Sequence, residues 1–177
     1  KRCIDSVRAQ NYPNYRLLIT VQSSFDYSYV RPLIGKEDKI FMTEEGEGFF
    51  YNLHCNKLKA AVTEGYFFFL DDDDTLEPGA LEAIAEHLTP DRALIVQLNR
   101  QGWLKPTREM IETKSLIEGQ IGMPCLVLHH SHKGIAHVTN DVSGDYHWIA
   151  EVLRQIDSKW IHQILVNSPY RGYGRTI

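Results

Sequence analysis

Four consecutive aspartates, Asp71 to Asp74, follow directly behind the apolar run Tyr66 to Leu70. Two unit charges about 4 Å apart repel by roughly 4 kcal/mol at an effective dielectric near 20, so adjacent carboxylates need water, protons or a cation. In an extended backbone alternate side chains point the same way, and one face offers at most two of the four. Ions such as Mg²⁺ are commonly held by one or two carboxylates together with phosphate oxygens. The aspartates therefore predict a divalent metal and a phosphorylated substrate.

A plainer interpretation is that these acids form a hydrated loop that caps the helix beginning near Pro78. Capping uses one acidic side chain at a helix N-terminus rather than four. The metal interpretation therefore accounts for more of the pattern.

The elements around the aspartates predict an α/β fold with a mostly parallel central sheet flanked by helices. The run 66–70 is short and continuously apolar, which is typical of a strand buried on both faces at the centre of a parallel sheet. Ligands of such sheets bind beyond the carboxyl ends of the strands. The other predicted strands are 15–21, 38–43, 92–98, 123–128 and 159–166, and the predicted helices begin near residues 1, 52, 79 and 144.

Length and composition limit the function classes. The 177 residues with 43% hydrophobic content predict one domain, and the net charge of −4 argues against a nucleic-acid partner. The three cysteines, Cys3, Cys55 and Cys125, form no CxxC pair, so neither a disulfide framework nor a zinc site is indicated and a cytoplasmic location is favoured. No apolar run approaches the roughly 20 residues of a membrane span.

One resemblance is to the haloacid-dehalogenase-type phosphohydrolases. Asp71, Asp73 and Thr75 look like the "DxDxT" motif of that family, in which the first Asp is the nucleophile. Those enzymes also use a distal Lys and a downstream acidic pair, and Ile149 stands where the second acid after Asp145 would be. The resemblance implies a phosphohydrolase that uses Asp71.

A longer resemblance is to the family 2 glycosyltransferases of GT-A fold, in which an Asn lies fifteen residues before the first Asp of "fLDxDD". The stretch 55–81 matches this pattern, and "CIDSVRAQNYPNYRLLITV" resembles the family's upstream segment. Asp145, near the start of a predicted helix, looks like the Asp of the family's "ED" motif. The matching positions are Asn56, Lys57, Tyr66, Leu70, Asp71, Asp73, Asp74, Pro78, Leu81 and, upstream, Ser6, Gln10, Tyr12, Asn14 and Tyr15.

This second resemblance implies a single GT-A-like (Rossmann-like) domain over 1–177 that moves a sugar from a nucleotide diphosphate sugar to a saccharide or other hydroxyl acceptor. The enzyme would be hexosyltransferase-like, metal-dependent and inverting. Asp145 would be the general base. Asn56, Asp71 and Asp72 would contact the nucleotide sugar, and Asp73 with Asp71 or Asp74 would hold Mn²⁺ or Mg²⁺.

The chain departs from the family pattern at several positions. Val21 or Gln22 stands where an acidic residue helps to hold the nucleotide base, Cys55 replaces an Arg, and Gly144 replaces the Glu of "ED". The first strand of the family would lie upstream of Lys1, so the domain is expected to be N-terminally incomplete. A catalytically inactive nucleotide-binding domain is the alternative outside enzymes.

Three kinds of side chain are weaker candidates, each with an ordinary structural alternative. Histidines of the "HHSHKG" stretch could bind metal or line the acceptor site, or belong to a hydrated loop. Tryptophans could stack on a sugar or pack in the core, and C-terminal arginines could pair with a diphosphate or belong to a solvated tail. The residues are His129, His130, His132, Trp103, Trp148, Arg171 and Arg175.

Overall fold

The computed structural model describes residues 1–24, 26–43 and 52–169, apart from the side chain of Leu53. Within these ranges the helices are α1 Arg2–Arg8, α2 Asn52–Ala61, α3 Ala80–Ala85, α4 Arg108–Thr113 and α5 Gly144–Gln155. The strands are β1 Leu18–Gln22, β2 Lys39–Thr43, β3 Tyr66–Phe67, β4 Thr75–Leu76, β5 Arg92–Arg100, β6 Trp103–Lys105, β7 Leu126–His129 and β8 Asp157–Ser168. None of the helices in these ranges is long and apolar enough to cross a membrane.

The described strands form a two-stranded parallel sheet and a larger sheet of mixed direction. β1 and β2 pair in parallel, and the larger sheet has the order β3-β7-β5-β8-β4, with β6 added to β5. In the larger sheet β5 and β8 run parallel, whereas β7 and β4 run antiparallel to their neighbours. The predicted α/β class is confirmed, and the sheet is more mixed than predicted because β4 and β7 enter it in the opposite direction.

The apolar run before the aspartates behaves differently from the prediction. Only Tyr66 and Phe67 pair in a ladder, and they do so antiparallel to β7 at one end of the larger sheet. The predicted place at the centre of a parallel sheet is therefore wrong, because residues 68–70 leave the ladder toward the aspartates. The run is nevertheless in the core, since Phe67 and Phe69 are buried.

The core is built around β5 and α5. Residues 93–98 of β5 are buried without interruption, and α5 contributes Trp148, Ile149 and Val152 from one face. The rings of Phe69 and Trp148 meet edge to face with centroids 5.6 Å apart. The amphipathic helix predicted from residue 144 is thus confirmed, and its apolar face packs against the run that leads to the aspartates.

Helix α1 fixes the chain immediately after the aspartates through two polar side chains. Ser6 Oγ accepts a hydrogen bond from the amide of Leu76 at 3.0 Å. The amide group of Gln10 donates to the carbonyl of Glu77 at 3.0 Å and accepts from the amide of Leu81 at 3.2 Å. These contacts give the matching positions in the upstream segment a structural role, because they anchor β4 and the first turn of α3.

Candidate active site

The four aspartates form a tight turn rather than a continued strand. The amide of Asp74 donates to the carbonyl of Asp71 at 3.1 Å, so the backbone reverses across Asp72 and Asp73. Asp71 and Asp72 are exposed, Asp73 is half-buried, and only 2% of Asp74 is exposed. The expectation that alternate side chains share a face was drawn for an extended backbone, and it does not apply to this turn. We call residues 71–74 the aspartate turn.

Burial and neighbouring charges disfavour the ionised form of two carboxylates in the aspartate turn, Asp71 and Asp74. Desolvation by the surrounding protein raises the pKa of Asp71 to about 7 although this residue is open to solvent, and Asp74, Asp73 and Asp72 add to the rise. Burial likewise raises the pKa of Asp74 to about 6, against the opposing effects of a hydrogen bond from Ser168 and the charge of Arg100. Asp74 Oδ1 is buried and has no hydrogen-bond partner within the described part of the chain.

Asp145 belongs to the same charged site. It is the second residue of α5, half-buried, and its Oδ1 accepts a hydrogen bond from the amide of Tyr146 at 2.7 Å. Burial raises the pKa of Asp145, while that amide and the charge of Lys105 act in the opposite direction. Asp145 in turn contributes to the raised pKa of Asp71. The fold therefore brings the start of α5 within electrostatic range of the aspartate turn.

Two cationic side chains near these carboxylates were missed by the sequence analysis. The charge of Arg100 acts on Asp74, and that of Lys105 acts on Asp145. The Lys105 ammonium also donates to the carbonyl of Gly119. Both cations lie at the end of β5 or on β6, in a region of weak periodicity, and no spacing or motif there distinguishes them from ordinary surface residues.

Asn56 uses one donor and one acceptor of its amide within the protein. Its Nδ2 donates to the carbonyl of Val138 at 2.9 Å, and its Oδ1 accepts from the amide of Val138 at 2.9 Å. Among the described residues these are its partners, which leaves one N–H and one lone pair for a further contact. Its predicted contact with a nucleotide sugar stays a prediction.

Two further side chains of α2 bond the same stretch of chain. Asn52 Nδ2 donates to the carbonyls of Thr139 and Asp141 at 3.0 and 2.8 Å. The Lys59 ammonium donates to the carbonyl of Ala136. Four-residue and three-residue spacings place these side chains on one face of the helix. We call Asn52, Asn56 and Lys59 the α2 polar stripe, and residues 136–141 the approach segment, because it leads to α5.

The histidine stretch lies away from the aspartate turn. The register of β3 and β7 sets His129 beside Tyr66, at the start of the run whose other end carries the aspartates. His132 Nε2 lies 2.7 Å from the carbonyl oxygen of Pro90. The geometry therefore favours the structural alternative for these histidines over a metal or acceptor role.

The tryptophans separate into one core residue and one surface residue. Trp148 is 1% exposed and packs in the core, as the structural alternative predicted. Trp103 is 65% exposed on β6. Arg171 and Arg175, the candidates for diphosphate pairing, lie outside the described residues.

The carboxylates of the aspartate turn could hold a metal ion only together with oxygen atoms from a bound molecule or water. Among residues 1–24, 26–43 and 52–169, no group of three or more His, Cys, Asp or Glu side chains is arranged to hold a metal ion. The turn nevertheless collects four carboxylates, three of which add to the raised pKa of Asp71 behind the effect of burial, and a divalent cation would neutralise that repulsion. It suits a cation that takes one or two carboxylates and completes its shell with phosphate oxygens and water.

Solved structures of another protein share the fold. The crystal structure of S. aureus TarS 1-349 superposes with a TM-score of 0.71 and 12% sequence identity, over 95% of this chain and 56% of that one. For the S. aureus TarS structure the TM-score is 0.70 and the identity 12%, over 96% of this chain and 34% of that one. The chain thus spans about half or less of the proteins that it resembles. At this identity the likeness shows the fold, which confirms the GT-A-like prediction.

A match to a protein family decides between the two resemblances drawn from the sequence. No curated protein matches the chain at a significant level. The model of the family described as "Glycosyl transferase family 2" matches residues 1–159, a range that includes α1, the α2 polar stripe, the aspartate turn and Asp145. The phosphohydrolase resemblance rests on the aspartates and their immediate neighbours alone. The chain therefore belongs to glycosyl transferase family 2.

Proposed function

We propose that this chain is the catalytic part of a glycosyltransferase that moves a sugar, of the hexose type, from a nucleotide diphosphate sugar to a saccharide or other hydroxyl acceptor. One observation carries the proposal. In a chain of this family, the aspartate turn and Asp145 lie within electrostatic range of each other although they are distant in sequence. One end of such a site suits a diphosphate with its cation, and the other suits a proton acceptor.

The aspartate turn would bind the donor. Asp73, with Asp71 or Asp74, would hold Mn²⁺ or Mg²⁺, and the exposed Asp72 would join Asp71 and Asn56 in contacting the nucleotide sugar. A metal bound there would act as a Lewis acid on the departing diphosphate. The raised pKa of Asp71 supports this assignment, because a carboxylate cluster that repels itself gains most from a cation.

Asp145 would act as the general base. It would take the proton of the acceptor hydroxyl as the acceptor oxygen bonds to the anomeric carbon and the bond from that carbon to the diphosphate breaks. Attack opposite the leaving group inverts the anomeric centre. The charge of Lys105 and the first turn of α5 both favour the ionised carboxylate that this role needs.

Calorimetry with a donor panel tests the proposal. UDP, GDP, CDP and dTDP sugars would be titrated into the protein with and without Mn²⁺, and release of the nucleoside diphosphate would be followed with water or added saccharides as acceptor. We expect one nucleotide class to bind in a metal-dependent manner and to be turned over. Asp91→Asn, a change at an exposed aspartate, is the control. Binding without turnover would support the catalytically inactive nucleotide-binding domain instead. Absence of binding across the panel would refute the donor assignment, and metal-independent binding would refute the metal assignment.

A further inference from the structure

The start of α5 is held by a side chain from another helix. The amide of Gly144 donates to the carbonyl of Asp141 at 3.2 Å, and the amide of Ser143 donates to Asp141 Oδ1 at 2.9 Å. The Asn52 amide group reaches the same Asp141 carbonyl and that of Thr139. A single NH₂ group therefore ties two backbone carbonyls of the approach segment together just before Asp145.

Gly144 leaves the space that Asn52 occupies. A Cβ atom on Gly144 would lie closer than van der Waals contact to Asn52 Nδ2 and to the carbonyl oxygen of Thr139. Gly144 is the position at which the "ED" motif of the glycosyltransferase family has its glutamate. The departure at Gly144 and the presence of Asn52 are therefore parts of one arrangement, since any side chain there would push the approach segment away from α2.

The rest of the α2 polar stripe extends this attachment. Asn52 is 8% exposed and Lys59 is 2% exposed, so their hydrogen bonds are shielded from competing water. The Lys59 ammonium also lies 5.6 Å from the ring centroid of Trp148, which belongs to α5. The stripe thus contacts both the approach segment and the helix that carries Asp145.

We propose that Asn52 is the positioning residue for Asp145, acting through the carbonyls of Thr139 and Asp141, with Asn56 and Lys59 extending the attachment along the approach segment. The proposal rests on the proposed function for the identity of Asp145 as the base. Asn52 does not contact reacting atoms. Its effect is geometric, because a general base displaced by about 1 Å from its acceptor loses about 10²-fold in rate.

Amide hydrogen exchange and kinetics together test this role in the Asn52→Ala variant. Loss of the two hydrogen bonds should make the Gly144 amide exchange about tenfold faster. The kcat for release of nucleoside diphosphate should fall about 10²-fold, with the KM for the donor within about twofold of wild type, because Asn52 is not among the proposed donor contacts. Gln155→Ala removes an exposed amide at the other end of α5 and should change none of these.

Other results would overturn the proposal. Unchanged exchange at Gly144 would do so, as would faster exchange with an unaltered kcat, or a KM that rises as much as kcat falls. Asn52→Ser keeps one donor and should recover part of the lost kcat, and it replaces the alanine variant if that variant does not fold. A folded serine variant with full kcat would refute the role. If wild type turns over no donor, the proposed function fails, and the exchange rates alone then decide whether Asn52 holds the start of α5.

Discussion

The aspartate turn and the α2 polar stripe are both polar and partly buried, but they differ in how far hydrogen bonds within the protein pair their side chains. Each side chain of the stripe donates to backbone carbonyls of the approach segment. In the turn, desolvation and then like charges raise the pKa of Asp71, and Asp74 Oδ1 is buried without a partner in the described structure. A polar cluster bonded to backbone groups thus defines geometry, whereas a cluster of like charges with a buried unpaired oxygen suits a ligand of the opposite charge.

Asp145 is the point at which the two regions meet. Its helix is attached to the α2 polar stripe through the approach segment, and its carboxylate contributes to the electrostatics of the aspartate turn. If the comparison is right, changes in the turn should affect ligand chemistry and relieve repulsion, and changes in the stripe should affect stability and alignment.

The largest effect is expected from Asp145→Asn. The amide keeps the shape of the carboxylate but cannot take a proton, so kcat should fall by about 10²-fold to 10⁴-fold while donor affinity is retained. Rates of nucleoside diphosphate release and donor titrations measure the two quantities. Asp157→Asn, an exposed change at the start of β8, is the control. A variant with the full transfer rate would show that another residue is the base.

Asp71→Asn should have opposite effects on activity and stability. Loss of one carboxylate from the turn should lower turnover by about 10²-fold to 10³-fold, because the leaving group loses charge stabilisation. In metal-free buffer the Tm should rise, since one of the mutually repelling charges is gone. Thermal unfolding with and without Mn²⁺ measures this, with the exposed Glu86→Gln as control. A lower Tm in metal-free buffer would contradict the comparison.

Asn56→Ala should destabilise the protein without relieving any repulsion. The amide and carbonyl of Val138 would both lose their partner, at a cost of about 1–3 kcal/mol in the free energy of unfolding. Urea denaturation at constant pH measures the loss, and Gln155→Ala should leave the free energy nearly unchanged. A variant as stable as wild type would show that the stripe does not stabilise the approach segment.

In a plot of kcat against pH, the loss of activity on the acidic side should occur at a higher pH than the pKa of an ordinary aspartate. Burial raises the pKa of Asp145 above 3.8, and Asp141 adds to the rise, while Lys105 and the amide of Tyr146 oppose it. Below that pKa the carboxylate is protonated and cannot act as base, so activity is lost as pH falls through the raised value. Lys105→Met removes a charge that lowers the pKa of Asp145, so it should shift this acidic loss of activity to still higher pH. A loss of activity at the ordinary value in wild type, or one that Lys105→Met leaves in place, would contradict this assignment.

The smallest expected effect is a change in the pH dependence of stability on substitution of Lys59. Burial lowers the pKa of Lys59 from 10.5 to about 8. Between these values the unfolded chain binds more protons than the folded one, so this residue makes stability rise with pH. Urea denaturation at about pH 7 and about pH 9 should therefore show a stronger rise for wild type than for Lys59→Met. Equal pH dependence in the two proteins would mean that the ammonium is not desolvated.

Helices and strands could be predicted where the pattern of apolar residues within one segment is sufficient to identify it. The apolar spacing of α5 and the continuous apolar run of β5 both predicted elements that the structure contains. Strand direction could not be predicted in this way, and the run before the aspartates was assigned to the centre of a parallel sheet. Its ladder ends after Phe67 because its partner is β7, which is distant in sequence and antiparallel. Pairing depends on such contacts rather than on local pattern.

Some residues of the candidate site could be predicted from the sequence and others could not. The aspartates and Asp145 were found because their types and spacing resemble a family motif. Arg100, Lys105 and Asn52 were not found, because each acts through a neighbour that lies far away along the chain. The residues next to a lysine or an asparagine in the sequence do not indicate which distant residue it will contact.

Residue types and local patterns were enough to indicate the α/β class and, through the four aspartates behind an apolar run and an acid near the start of an amphipathic helix, the family. The turn at the aspartates, the electrostatic effect of Asp145 on Asp71, and the place of Asn52 in the space left by Gly144 depend on the packed chain. The two kinds of feature differ in the range of the interactions behind them. Periodicity and turn chemistry act over a few residues, whereas desolvation, charge repulsion and the hydrogen bonds of a buried amide depend on every element packed nearby.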